Sequence, residues 1–301
     1  MSHWEQQLFI SCEDALPTIV PGLHNAACSA TSILLMTLPY RALLVAKNKT
    51  GMEPEVIAYL LALTFLFYTN AHQHGFGAFL WDLDTGGALH SIFLSLLIYE
   101  HGGGREIWKN KTPFPILPTV WTRAVSFASA AAALMAPFVF PTRVNNDLRR
   151  KFAATMGGIA ALSVVPMMGY LSWTTMMTNR RHEKNSNTGK SLFALWVLAC
   201  VLVKVAEVLV QVEKERMCDR GGLVARWFHA IVTHSEIWLL FWAVSDCAFG
   251  LIQQQQDRST HQISTSDDVG QSLSSTVDHR PWFSYHAGSI RGNRFWPKKR
   301  V

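Results

Sequence analysis

Long apolar runs separated by short polar connectors organise this chain. Seven stretches approach the length of a bilayer span: Leu23 to Ala46, Glu55 to Tyr68, Leu83 to Tyr99, Val120 to Val139, Phe152 to Met177, Ser191 to Val212 and Leu223 to Ile252. A hydrocarbon layer about 30 Å thick takes roughly 20 residues of helix, because each residue advances only about 1.5 Å. The runs are continuous and do not alternate apolar-out, polar-in as barrel strands must, so helices are predicted. The predicted fold class is an all-α, polytopic membrane bundle of about seven transmembrane helices. The second stretch crosses only by continuing through Asn70 toward Phe79, and the third carries Gly86, Gly87 and His90, so a six-span bundle stays open. The connectors KNKTGMEP, KNKTPFPILP and TNRRHEKNSNTGK contain Gly, Pro or Asn and suit breaks between antiparallel neighbours. Three parts are expected: an N-terminal segment over 1–22, the membrane domain over 23–252, and a polar, basic, disordered tail over 253–301.

Composition agrees with this pattern. Hydrophobic residues make up 49% of the 301 and charged residues only 16%, against about 25% charged in an ordinary soluble domain. Five cysteines in a chain of this length exclude a disulfide-stapled miniprotein. The first 22 residues hold no Lys or Arg, so they lack the positive start of a cleaved signal. Counting Lys and Arg in alternate connectors gives 16 on one side, tail included, and eight on the other. The positive-inside rule then puts the N-terminus in the lumen and the tail in the cytosol, which would leave the sequons at Asn48 and Asn110 unmodified. In that orientation Cys12 and Cys218 share the oxidising side, where a bridge between them is permitted. The net charge of +6 is what a basic face beside anionic lipid requires, so membrane lipid is the expected partner and nucleic acid is not.

An ionisable side chain inside hydrocarbon costs roughly 2.5–3.5 kcal/mol, so each one asks for a partner or a function. They gather toward one level: His24 and Asn25 on the first span; Asn70, His72 and His74 on the second; Asp82, Asp84 and His90 on the third; Lys204, Glu207 and Gln211 on the sixth; His229, His234 and Glu236 on the seventh. The densest segment is NAHQHGFGAFLWDLD, Asn70 to Asp84, with two His at alternate positions, then Trp81 and two Asp at alternate positions. Lys204, Glu207 and Gln211 are three and four apart and share a helix face. In an α-helix His229 and Glu236 also share a face, whereas His234, five residues from His229, is turned away by about 140°. Trp238 and Trp242, four apart, suit an aromatic wall.

No P-loop, GxSxG elbow, HExxH or CxxC motif is present, and no Asp-rich diphosphate box. One chemistry these residues allow is acid-catalysed cyclisation of a lipophilic, epoxidised isoprenoid. It needs a protonated carboxyl at the epoxide and aromatic faces for the cation. Asp82, Asp84, Glu207 and Glu236 are the eligible acids, with His72, His74 or His229 tuning them or removing the last proton. Asn70, Trp81, His90, Lys204, Gln211, Trp238 and Trp242 would line the substrate pocket, and neither metal nor cofactor is called for.

The plan of about 300 residues, seven apolar spans, acids at helix ends and a polar tail resembles the fungal integral-membrane terpene cyclases of meroterpenoid pathways, of the ascofuranone type, across residues 1–252. The resemblance implies a cofactor-free isomerase of the endoplasmic reticulum acting on an epoxidised farnesyl chain with an aromatic or polyketide head. A second chemistry is a zinc-dependent amide or ester hydrolase of the alkaline-ceramidase type, from His72 or His74, Asp82 or Asp84, and His229 or His234. Against it stand the five-residue spacing of the last two histidines and the absence of a Ser one turn before the second-span His. A seven-helix receptor or transporter without catalysis is the third expectation.

Overall fold

The computed structural model describes residues 20–23, 25–49, 51–76, 81–111, 118–139, 142–181, 186–217, 224 and 227–269. Among them the chain is all-helical, with no strand beyond one isolated bridge between Val20 and Leu23. The helices are α1 (Ala26–Leu35), α2 (Thr37–Lys49), α3 (Pro54–Phe76), α4 (Leu83–His101), α5 (Gly104–Lys111), α6 (Thr119–Val139), α7 (Thr142–Arg181), α8 (Ser186–Val212) and α9 (His234–Val269). Two π-helical segments, Glu213–Met217 and Phe228–Thr233, follow α8 and precede α9. Six described helical stretches are long and apolar enough to cross a membrane, with α1 and α2 together making one of them. The chain is a multi-pass membrane protein.

Each predicted stretch is helical, with informative departures. Pro39 has no N–H to give the Leu35 carbonyl, and the first span breaks at Met36 into α1 and α2; beside the break the Thr37 hydroxyl donates to Leu34 O at 2.8 Å. The second span does continue, so Asn70, Gln73 and His74 are buried helical residues of α3 and not part of a polar loop. The third span, α4, falls outside the six because its polar residues lower its apolarity, and it packs against α3, α6 and α7. A helix enclosed by protein tolerates Asp84, Ser91, His90 and Glu100 where a lipid-facing one would not. The last helix runs to Val269, past the end of its apolar stretch, so the described start of the tail is helical. The compact unit Met1–Thr260 holds the bundle, and His261–Val301 forms a second unit. His24, Cys12, Cys218 and the rest of the tail lie outside the described residues.

Close helix approach at the centre depends on Gly86. A Cβ there would stand 2.8 Å from the Leu66 Cα and 2.7 Å from the Thr69 hydroxyl, so α3 and α4 would have to separate. Gly86→Ala is expected to cost about 1–3 kcal/mol, read as a lower midpoint of thermal unfolding in detergent. Gly87→Ala, whose methyl would meet nothing within 4 Å, is expected to leave the midpoint in place. Equal midpoints for both would remove the packing argument.

The end of the bundle opposite the histidines is closed by ion pairs. Glu55, fully buried, takes His101 at 3.0 Å and Arg123, while Glu100 takes Arg105 at 3.0 Å and the hydroxyls of Thr119 and Thr122. Arg41 holds Asp246 through two bonds of 2.5 and 2.7 Å.

Candidate metal centre

The site forms where the start of α1 meets the end of α3. The Asn25 amide donates to His74 O at 3.0 Å and the Ser29 hydroxyl to Ala71 O at 3.1 Å, which ties the two helices together. Gly75 permits that crossing, since a Cβ on it would lie 2.9 Å from the Ser29 Oγ. Cys28, one turn into α1 and fully buried, thereby comes beside His74.

The other histidines arrive through the π-helical segment Phe228–Thr233. A π-turn bonds residue i to i+5, so residues five apart stack on one face. His229 and His234 therefore face each other, with ring centroids 5.0 Å apart, and the expectation that His234 turns away is corrected. Both rings also meet His74, at 5.2 Å from His229 and 5.3 Å from His234. All three histidines are buried. Cys28, His74 and His229 each bring one ligand atom within 4.8 Å of the others.

Two further side chains orient these rings. His229 Nδ1 donates to Glu213 Oε2 at 2.8 Å, and that carboxylate is itself fully buried. A histidine whose far nitrogen is held by a carboxylate keeps its other lone pair directed and basic, the usual arrangement behind a metal ligand. His234 Nδ1 lies 2.6 Å from Thr31 Oγ1, whose hydroxyl donates to the carbonyls of Ala27 and Cys28 at 3.0 and 3.1 Å. When the hydroxyl proton goes to one of those carbonyls, the ring N–H sits on Nδ1 and the buried Nε2 is an acceptor. That Nε2 and the Nδ1 of His74 have no hydrogen-bond partner among the described residues.

A thiolate and two imidazoles form a borderline-soft set that suits zinc, while hard oxygen-seeking cations fit it poorly. Three ligands leave one position of a tetrahedral ion open, as catalytic zinc sites do.

The remaining sequence candidates are not part of the Cys28, His74 and His229 ligand set. Asp82 caps α4 through the Thr85 amide and hydroxyl, both at 3.0 Å, and takes Arg149 at 3.0 Å. Asp84 takes Arg150 at 3.1 Å. Asn70 donates to Ser32 Oγ at 2.9 Å, and Trp81 donates to Leu134 O at 2.9 Å, pinning the start of α4 to α6. His72 leans between Tyr68 and Phe76, with centroids 6.1 and 5.2 Å away. His90 is wedged between Tyr59 and Phe241. Trp238 and Trp242 stack nearly parallel, at 9° between planes. Trp238 donates to Thr37 Oγ1, and the Arg41 guanidinium sits 5.7 Å over Trp242. Lys204, Glu207 and Gln211 point outward and do not join the shared pocket expected of them. Glu236 is buried, but the carboxylate on His229 is Glu213. Sequence reasoning missed Glu213, Cys28, Thr31 and Arg149 as parts of these networks. No protein-family model matches the chain, and neither a curated protein nor a solved structure matches it.

Proposed function

We propose that this chain is a zinc-dependent hydrolase within the membrane, cleaving an amide or ester bond of a lipophilic substrate. The observation that carries the reading is the buried convergence of Cys28, His74 and His229, with Glu213 behind His229. Zinc in this setting supplies Lewis acidity toward a carbonyl oxygen. The residues supply the rest. Cys28, His74 and His229 hold the ion, and Glu213 fixes the ring of His229. His234 Nε2 takes a proton from water as the water oxygen bonds to the acyl carbon. It returns that proton to the leaving nitrogen or oxygen as the acyl bond breaks, so the products are an acid and an amine or alcohol.

The test is purified protein given a panel of N-acyl and O-acyl lipids. Turnover is expected to vanish with a zinc chelator and to return when zinc is added back; turnover indifferent to chelation would overturn the reading. Glu213→Gln, which keeps shape but loses charge, is expected to weaken zinc binding about 10- to 100-fold, measured by competition with a fluorescent chelator. An unchanged affinity would remove Glu213 from the centre.

One observation favours the cyclase reading as a second proposal. Both carboxyl oxygens of Glu236 are buried and have no hydrogen-bond partner among the described residues, as befits an acid held for a substrate. Under that reading Glu236→Gln abolishes ring closure of an epoxidised farnesyl meroterpenoid by metal-free protein, and zinc at one per chain counts against it. Under both readings the proposed location is the endoplasmic reticulum membrane, and the distribution of Lys and Arg supports a lumenal N-terminus and a cytosolic C-terminus.

A further inference from the structure

Helix α8 is the most apolar of the six candidate spans and the least covered by the rest of the bundle. Its outward face nevertheless carries charge. Lys204 and Glu207 are 75% and 60% exposed and, among the described residues, pair along their own helix, at 2.9 and 3.0 Å. Gln211, two turns beyond Lys204, continues the stripe and donates to Glu215 at 2.9 Å. The span covers 25 residues, Thr188–Val212. At about 1.5 Å per residue, a hydrocarbon layer of about 30 Å centred on it encloses both charged positions. An exposed ion pair at that depth faces lipid tails, which offer it no hydrogen bond.

The surroundings of the pair suit a close helical neighbour. Trp196, Val197, Cys200, Val201, Val205 and Val208 line a shallow groove of about 490 Å³ along the same helix. The groove leaves room for the side chains of a second helix, and polar groups can then bond across the contact. We propose that this face packs on the same face of a second copy of the chain, giving a two-fold dimer about an axis along the membrane normal. Charge complementarity selects that occupant. Both copies insert in one orientation, so Lys204 of each lies within a turn of Glu207 of the other, and two separate pairs become one alternating ring of four charges. The stripe is complementary to itself.

The experiment co-expresses two differently tagged full-length chains and captures one tag in mild detergent. Wild type is expected to retain wild type. Lys204→Glu, which makes the stripe doubly acidic, and Glu207→Lys, which makes it doubly basic, are each expected to lose self-capture tenfold or more. The two variants expressed together are expected to capture one another, because an acidic stripe then faces a basic one. Equal capture for every combination, or none for wild type, would overturn the proposal. Where the charge variants fail to insert, oxidation of wild-type membranes decides. A crosslinked dimer that disappears in Cys200→Ser supports the contact, and its absence from wild type contradicts it.

Discussion

His229→Ala is expected to release zinc and abolish turnover, whereas His234→Asn is expected to keep the zinc and still lose turnover by about 10²–10⁴-fold. The difference follows from what each ring touches. His229 shares the ligand cluster with Cys28 and His74 and is braced by Glu213 at 2.8 Å, so its removal takes away a donor. His234 stands beside that cluster with its Nδ1 engaged by Thr31 and its Nε2 open, which suits it to proton transfer. Metal analysis alongside a turnover assay separates the two roles. Loss of zinc from His234→Asn would make His234 a fourth ligand and the site closed and structural. Full turnover in His229→Ala would remove the site from the chemistry.

The second large effect is on folding. Arg149→Met is expected to destabilise the protein by about 3–5 kcal/mol, because it removes the closer cation at 3.0 Å and leaves the buried Asp82 carboxylate only Arg150 at 4.0 Å, which Asp84 also holds. The side chains of this pair are 2% and 4% exposed, so water cannot replace the lost partner. Asp82→Asn is expected to be costly for the reciprocal reason, although an amide oxygen still caps Thr85. The double variant Asp82→Asn with Arg149→Met is expected to recover much of the loss, since no buried charge is then stranded. Thermal unfolding of the four proteins in one detergent closes the cycle. Strictly additive losses would mean that the two side chains do not depend on each other.

Those networks mark where reading the sequence stops. Span placement was legible because hydrocarbon demands a long apolar run, and all seven runs are helices, α4 included despite its polar residues. The histidines were legible as residue types, since an imidazole in a span is costly without a reason. Their assembly was not. The spacing of five between His229 and His234 excludes a shared face only if the backbone is α-helical, and the shift to i→i+5 bonding in Phe228–Thr233 leaves no mark that side-chain periodicity reveals. Glu213 stood in EKERM, a charged run that reads as a solvated connector, until the fold returned it to His229 sixteen residues later. Cys28 reads as a small packing residue because nothing within α1 announces His74. Arg149 reads as a connector charge, although it lies buried against Asp82, 67 residues away in sequence. Shared helix faces mislead in the other direction. Lys204, Glu207 and Gln211 do lie on one face of α8, but that face points away from the bundle.

X-ray absorption at the zinc edge of the purified, membrane-extracted protein addresses the cysteine–histidine centre most directly. One zinc per chain is expected, with one sulfur at about 2.3 Å and two or more imidazole nitrogens at about 2.0–2.1 Å, and with the sulfur contribution lost in Cys28→Ser. A zinc-free protein, or zinc bound only by oxygen and unchanged in Cys28→Ser, would contradict it.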